Sequence, residues 1–290
     1  MKLSDFTHIE PVEKGWSDDK KYCVTDKNGI RYLLRISPYD QKERKHYEFE
    51  MMLRLAALDI PMCKALEFGE CDEGIYSVHT WIDGNDARDV IPLLSPSDAY
   101  KHGITAGKIL KNIHTLPAPD NSENWGTRFN RKIDYKLRIY SECAIKYANG
   151  EAFINHIENN RHLLNDRPQC FHHGDYHIGN FMIDSSGKLI VIDFNRCDHG
   201  DPWEEFNRIV WSAQSSPNFA RGMTDGYFDG NVPLDFWKLL GLYISVNTLS
   251  SLPWAVPFGQ KEIDTMMQQA DEILSWYDNM TAFIPKWYKN

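Results

Sequence analysis

One stretch of the chain decides its fold and chemistry: His173-Gly174-Asp175-Tyr176-His177-Ile178-Gly179-Asn180, followed by Ile192-Asp193-Phe194. Gly174 and Gly179 interrupt any regular element, so Asp175 and Asn180 are expected on a loop. Asp193 comes at the end of a short apolar strand. A carboxylate on the loop can accept a hydroxyl proton, and Asn and Asp oxygens are hard ligands that Mg²⁺ prefers. The spacing therefore predicts a base and two Mg²⁺ ligands, as phosphoryl transfer requires.

Two other interpretations of this stretch stay open. Asp175 and Asn180, taken singly, could only cap turns. His173 and His177 together with Asp175 could form the His/carboxylate metal site of a hydrolase. Asn and Asp suit Mg²⁺ better than zinc, so we expect His173 to brace the loop by hydrogen bonds.

The stretch resembles the signature of the aminoglycoside phosphotransferase and choline kinase superfamily, which has the protein-kinase fold. The similarity extends through Gly200-Asp201-Pro202-Trp203-Glu204-Glu205. The resemblance implies that Asp175 is the catalytic base and that Asn180 and Asp193 hold Mg²⁺. It also implies ATP or GTP as the phosphate donor and a small molecule with a hydroxyl group as the acceptor.

The order of predicted elements indicates an α+β, two-lobe protein-kinase-like fold, with a small antiparallel β N-lobe carrying one helix and a larger, mainly helical C-lobe. Two β-rich runs are joined at Asn28-Gly29, which is a strong hairpin signal. A helix is predicted over Lys42–Leu58, with an apolar stripe of Phe49, Met52, Leu53, Ala56 and Ala57.

The breaker cluster after Ile82 marks the boundary between the two predicted lobes. We therefore expect a nucleotide-binding N-lobe over 1–82, a hinge and linker over 83–95, and a helical C-lobe over 96–290 that carries the catalytic loop and the acceptor site. The helices predicted in the C-lobe begin with Ser97–Leu116, Lys132–Ala148 and Glu151–Leu164.

The resemblance implies nucleotide contacts for further residues of the predicted N-lobe. Ser17 lies in the loop that would cover the phosphates, although this loop lacks the Gly-x-Gly-x-x-Gly spacing. Arg35 occupies the strand position where the resembled family has a Lys, and Glu48 would be its acidic partner. Backbone groups at Thr80 and Ile82 would bind adenine. Because Arg replaces Lys, a nucleotide-binding pseudokinase that acts as a scaffold stays open as an alternative.

The acceptor is predicted from charge. The chain has 32 Lys and Arg residues against 41 Asp and Glu, a net charge of −9. This balance argues against a nucleic-acid partner and is compatible with a cationic acceptor. Asp201, Glu204 and Glu205 could line an acidic pocket for an amine, or could pair inside the lobe. We expect an aminoglycoside-like or other amine-bearing acceptor, with choline, homoserine, methylthioribose and macrolides as alternatives that the resemblance offers.

Cysteine usage and apolar runs predict a compartment. The six cysteines form no Cys-x-x-Cys pair, and the first residues lack an apolar signal core. The longest apolar stretch, Leu239–Leu249, is too short to span a bilayer. We therefore expect a reduced, cytoplasmic protein with no membrane contact.

Overall fold

The computed structural model describes residues 6–13 and 19–289. The chain divides into two units. The first unit contains the described residues up to Val90 together with Asn180–Cys197. The second contains Ile91–Gly179 and the described residues from Asp198 onward.

The first unit is built on a five-stranded antiparallel sheet with the strand order β1-β2-β3-β5-β4. Its strands are β1 (Phe6–Pro11), β2 (Lys20–Asp26), β3 (Arg31–Ser37), β4 (Ala65–Cys71) and β5 (Gly74–Thr80). The predicted hairpin joins β2 to β3, and Asp26 Oδ1 accepts hydrogen bonds from the amides of Asn28 and Ile30, both at 2.9 Å. Gly29 takes a φ of 79° in this turn, which explains why glycine is needed there. One face of the sheet buries Val24, Leu34, Ile36, Tyr76 and Val78.

Helix α1 (Lys42–Ala56) packs on this sheet in a different register from the predicted stripe. It buries Glu48, Met51, Met52 and Leu55, whereas Leu53 is 48% exposed. The predicted stripe was therefore wrong by about one residue. The reason is that the core-facing side of the helix includes a charged residue, Glu48, whose charge is paired locally.

A small three-stranded sheet explains why Asn180–Cys197 belongs to the first unit. Its strands are β6 (Gly84–Asp86), β8 (Phe181–Asp184) and β9 (Leu189–Val191), in the order β6-β8-β9, and the short helix α2 (Ala87–Val90) follows β6. The amide of Val191 also donates to the Pro61 carbonyl at 2.8 Å. The sequence placed this segment in the lobe 96–290, but long-range strand pairing attaches it to the first unit, whose other boundary falls after Val90.

The second unit is mainly helical. Its helices are α3 (Pro96–Ile113), α4 (Trp125–Glu142), α5 (Gly150–Asn160), α6 (Ile209–Ser215), α7 (Pro217–Phe228), α8 (Leu234–Ala255), α9 (Gln260–Trp276) and α10 (Lys286–Lys289). A two-stranded sheet pairs β7 (Cys170–His172) with β10 (Asp198–Gly200). Helix α4 starts earlier than the predicted Lys132, because the Asn124 side chain caps it by accepting from the Thr127 amide at 3.1 Å.

Helix α8 is the buried centre of the second unit. Within the described residues, the segment Leu234–Phe258 is the one helix that is long and apolar enough to cross a membrane by length and composition. The apolar stretch predicted from the sequence, Leu239–Leu249, is therefore shorter than the apolar helical segment in the structure. Buried residues make up 67% of its most apolar window, so packing inside the unit accounts for its apolar character.

Helices α3 and α7 approach each other through glycines. Gly103 and Gly107 lie on α3, and Gly222 and Gly226 lie on α7, with the same spacing of four. A Cβ at any of the four would overlap a backbone carbonyl oxygen of the opposite helix. We call this contact the glycine seam.

Candidate active site

A backbone hydrogen bond in the first unit joins Asn180 to the segment that ends in Asp193. The Ile192 amide donates to the Asn180 carbonyl at 3.0 Å, which fixes the residue before Asp193 against the start of β8. Asp193 takes a φ of 66°, a left-handed conformation that is rare for non-glycine residues and is often found at functional sites. A side-chain amide oxygen and a carboxylate, carried on backbone segments that this bond joins, are the hard ligand types that Mg²⁺ prefers.

Arg35 connects this carboxylate to the sheet. Its Nη1 lies 3.1 Å from Asp193 Oδ1, and its Nη2 and Nε lie 2.6 and 3.0 Å from Asp19 Oδ2. Ser37 Oγ donates to the other Asp19 oxygen at 2.7 Å. The Arg35 side chain is 13% exposed and that of Asp19 is 2% exposed. Arg35 is therefore a fixed positive charge beside the predicted metal ligand.

Glu48 has other partners than the predicted one. In the described part of the chain, Glu48 pairs with Lys45, at 3.2 Å from Nζ to Oε2, and with Arg44, at 2.9 Å from Nε to Oε1. Lys45 Nζ also lies 3.1 Å from Asp19 Oδ2. The predicted Arg35–Glu48 pair is thus replaced by a chain of pairs, in which Lys45 stands between Glu48 and Asp19. We call Asp19, Arg35, Lys45, Glu48 and Asp193 the charged cluster.

The pKa values in the charged cluster follow from burial and ion pairing. Burial alone would raise the pKa of Asp19, but Arg35, Ser37 and Lys45 together hold it below its usual value. Burial would lower the pKa of Arg35, and the two carboxylates at Asp193 and Asp19 raise it instead. Both groups therefore stay charged at neutral pH.

Thr80, Ile82 and Ser17 are the other residues that were predicted to bind the nucleotide. Thr80 ends β5, and both its amide and its hydroxyl are used within the sheet: the amide donates to the Lys64 carbonyl at 2.9 Å, and Oγ1 accepts from the Lys64 amide at 2.9 Å. An amide donor used in this way does not support the predicted adenine contact at Thr80. Ile82 follows β5 and is half-buried. Ser17 lies outside the described residues.

Asp175 lies on a loop that the second unit holds from several sides. The Gly174 amide donates to Glu205 Oε1 at 2.9 Å, and Gly174 has a φ of 86°. The fully buried Tyr176 donates its hydroxyl to the Ala106 carbonyl on α3 at 2.7 Å. The Ile178 amide donates to Ser212 Oγ on α6 at 3.0 Å. These bonds set the position of Asp175 without using its own carboxylate.

Cationic and histidine side chains surround the Asp175 carboxylate. Arg208 Nε lies 3.3 Å and His177 Nε2 lies 3.6 Å from Asp175 Oδ1. The Nδ1 atoms of His173 and His177 accept from the amides of Asp175 and Gly179, at 3.3 and 3.1 Å. The two histidines therefore brace the loop, as predicted for His173, and this use of Nδ1 argues against a two-histidine metal site.

Asp201 is fully buried and its charge is neutralised inside the second unit. Arg167 binds it through two bonds, with Nε 2.7 Å from Oδ2 and Nη2 2.9 Å from Oδ1. The Tyr243 hydroxyl donates to Oδ2 at 2.6 Å, and the Trp203 amide donates to Oδ1 at 3.0 Å. Four donors therefore occupy the carboxylate that was predicted to contact the acceptor.

Glu204 and Glu205 also have internal partners. Lys132 Nζ lies 3.1 Å from Glu204 Oε1, and this charge offsets burial and lowers the pKa of Glu204 to about 2. Glu205 is 2% exposed and holds the loop that bears Asp175 through the Gly174 amide. Burial would raise the pKa of Glu205, yet the imidazole of His114, 3.9 Å away, and other histidines lower it. These acids were predicted either to line an acceptor pocket or to pair inside the lobe, and their contacts favour pairing inside the lobe.

Comparison with known proteins decides the family. The sequence matches the profile of the phosphotransferase enzyme family (APH) over residues 8–237. This chain belongs to the phosphotransferase enzyme family. A search of curated protein sequences found no match.

Solved structures of related architecture match the phosphotransferase over nearly its whole length. A choline/ethanolamine kinase family protein from Mesorhizobium loti superposes with a TM-score of 0.70 at 16% identity, covering 97% of this chain and 92% of that one. A thermostable mutant of the aminoglycoside phosphotransferase APH(4)-Ia, in a ternary complex with ADP and hygromycin B, gives 0.69 at 15% identity, covering 94% and 95%. The GDP and kanamycin complex of APH(2'')-IIIa gives 0.69 at 14% identity, covering 92% and 93%. The predicted α+β kinase-like fold, family resemblance and phosphotransferase class are confirmed.

Sequence reasoning missed several charged residues of this phosphotransferase. Asp19 and Lys45 belong to the charged cluster, and Arg208 contacts Asp175. Lys45 could have been found, since it lies three residues before Glu48 on the same helix and such pairs meet. Arg208 follows the Gly-Asp-Pro segment closely, but no motif marks it.

Proposed function

We propose that this phosphotransferase is a small-molecule kinase that transfers the γ-phosphoryl group of ATP or GTP to a hydroxyl of an amine-bearing acceptor. The observation that carries the proposal is the left-handed Asp193, whose preceding residue is hydrogen-bonded to the Asn180 carbonyl, in a family of phosphotransferases. The aminoglycoside phosphotransferases and the choline/ethanolamine kinase family protein with this fold support a small acceptor. Free cysteines throughout are compatible with the proposed cytoplasmic location.

Each residue has a separate role in the proposed reaction. Asp175 accepts the hydroxyl proton as the acceptor oxygen attacks, and Arg208 keeps its carboxylate oriented. Asn180 and Asp193 would hold Mg²⁺, which neutralises phosphate charge when bound. Arg35 supplies a second fixed positive charge for the phosphates, since a guanidinium binds phosphate oxygens bidentately.

The test combines an acceptor screen with two variants. Purified protein is given Mg²⁺ with ATP or GTP and a panel of aminoglycosides, macrolides, choline and ethanolamine. We expect Asp175→Ala to lower turnover by a factor on the order of 10³ while nucleotide binding persists. Asp193→Ala should instead abolish magnesium-nucleotide binding in calorimetry. Asp120→Ala and Asp72→Ala, at exposed positions in the same units, are the matched controls.

The outcomes separate the proposal from its alternatives. Wild-type rates in both variants would reject the assigned residues. Magnesium-dependent nucleotide binding with no turnover of any acceptor would favour a scaffold. Phosphorylation of neutral acceptors alone would reject the amine-bearing class and keep the kinase.

A further inference from the structure

Basic side chains lie on two elements of the second unit that an ion pair joins, and one of these elements contacts Asp175. On α4, Lys132 forms an ion pair with Glu204 at 3.1 Å. Lys136 lies one turn further along α4, and Arg208 lies four residues beyond Glu204, at the end of the 3₁₀ turn Glu204–Arg208. Because residues four apart on a helix lie on the same face, Lys136 stands beside Lys132 on the side of α4 that reaches the turn bearing Arg208.

The positive side chains around Lys136 and Arg208 outnumber the negative ones. Glu204 is matched by Lys132, and Asp175 is matched by Arg208, which leaves Lys136. Within residues 6–13 and 19–289, no carboxylate lies within 4.0 Å of Lys136. Lys136 is half-buried. Burial lowers its pKa to about 7, and repulsion from Lys132 and Arg208 adds to this effect while Glu204 opposes it. A partly buried ammonium without a counter-charge is costly, and an anion from outside the chain would relieve that cost.

Arg208 has donors left for such an anion. Its Nε faces Asp175 Oδ1, and a guanidinium has further N–H groups on its two Nη atoms. A planar oxygen anion could accept from these donors and from the Lys136 ammonium together. Because the same guanidinium touches the proposed base, the anion would lie within one side chain's length of the reacting hydroxyl.

We propose that Lys136 and Arg208 form an anion subsite, and that the acceptor carries a negatively charged oxygen group, a carboxylate or a phosphate, close to the hydroxyl that is phosphorylated. This inference rests on the proposed function and adds a requirement to its acceptor, which can carry an amine as well. The proposed subsite agrees with the pairing of Asp201, Glu204 and Glu205 inside the second unit. Because these acids already have partners, the charge left without a partner beside Asp175 is positive.

The first experiment compares acceptors that differ only in the anionic group. The matched pairs are serine with ethanolamine, glycerate with glycerol, and glycerol 3-phosphate with glycerol, each with Mg²⁺ and ATP or GTP. We expect at least one charged member to exceed its neutral partner about tenfold or more in kcat/KM. Lys136→Met should remove most of this preference and leave the KM for nucleotide unchanged. Arg138→Met, at an exposed position on the same helix, should behave like the wild-type protein.

The second experiment does not depend on turnover. Lys136 is modified by acetic anhydride at pH 7, and its rate is measured by peptide mass spectrometry with the exposed Lys101 as the reference. A bound anion favours the charged amine, and a rise of about one pKa unit reduces the reactive neutral form about fivefold at pH 7. Glycerate and glycerol 3-phosphate, added separately, distinguish a carboxylate site from a phosphate site.

Opposite results overturn the inference. An unchanged Lys136 rate with both anions would exclude the subsite, as would a kcat/KM preference that survives in Lys136→Met. An increase in nucleotide KM alone in Lys136→Met would assign these cations to the donor instead. If Asp175→Asn retains full turnover, the proposed function fails, whereas the labelling result still reports on the subsite.

Discussion

Replacing Arg167 with methionine should strongly destabilise the second unit, because Asp201 would stay buried without its main counter-charge. Arg167 provides two of the four donors to a carboxylate that is 0% exposed, and Arg167 itself is 16% exposed. Only the Tyr243 hydroxyl and the Trp203 amide would remain. Breaking a buried pair by removing one partner costs about 3–5 kcal/mol. This is a large part of the stability of a typical protein, roughly 5–15 kcal/mol.

The assay is urea unfolding followed by tryptophan fluorescence and by circular dichroism. Trp203, one of nine tryptophans in the chain, contributes to this fluorescence, and the Arg167 guanidinium lies 3.9 Å from its ring centroid. The matched control is Arg131→Met, which breaks a two-bond Arg–Glu123 pair on the surface and should change the free energy of unfolding far less. A combined Arg167→Met and Asp201→Asn variant should recover part of the loss, because no unpaired charge stays buried.

Two results would refute this reasoning. A loss below about 1 kcal/mol in Arg167→Met would mean that Asp201 does not depend on its partner for burial. A stable Asp201→Asn protein with a raised KM for amine-bearing acceptors would mean that Asp201 binds the acceptor after all.

Three further changes test other parts of the molecule. Lys45→Met should leave Glu48 without its half-buried partner and raise the KM for nucleotide about tenfold, with Arg44→Met, at an exposed position, as the control in the same kinetic assay. Burial lowers the pKa of His79 to about 3, so below about pH 6.5 the unfolded chain binds a proton that the folded chain does not. Stability should therefore fall by up to about 1.4 kcal/mol per pH unit between about pH 6.5 and 3, and His79→Gln should show a shallower fall in parallel urea titrations. Gly107→Val should lower the thermal midpoint by the equivalent of about 1–3 kcal/mol or more, because its side chain would overlap the backbone of α7; an unchanged midpoint would contradict the observed approach.

Local patterns predicted the elements whose cause is local. The Asn28-Gly29 turn and the short apolar strand before Asp193 follow from turn chemistry and apolar runs, and both were predicted. The loop bearing Asp175 was found because glycines and polar residues at that spacing have few structural uses. The start of α4 was missed, although the Asn124 cap was visible in the sequence.

Features caused by distant partners could not be read from the sequence. Glu48 faces the core because Lys45 neutralises it beside a buried Asp19, which lies 26 residues before Lys45 in the chain. Asp201 looked available to an acceptor because its partner Arg167 lies in an unremarkable segment 34 residues earlier. The attachment of Asn180–Cys197 to the first unit depends on strand pairing with β6, which no periodicity reveals.

The glycine seam limits how this enzyme can change during evolution. Glycine is the smallest residue, so a larger side chain on one helix cannot be compensated by a smaller one on the other. Paired substitutions across the glycine seam are therefore excluded. The Ala106 carbonyl on α3 anchors Tyr176 of the loop that bears Asp175, and Tyr227 on α7 bonds to His114 at 2.8 Å. A shift of either helix would therefore displace the groups that position Asp175. New acceptor specificities should arise by exchanging side chains around this fixed block, such as those of α4, and not by moving the helices themselves.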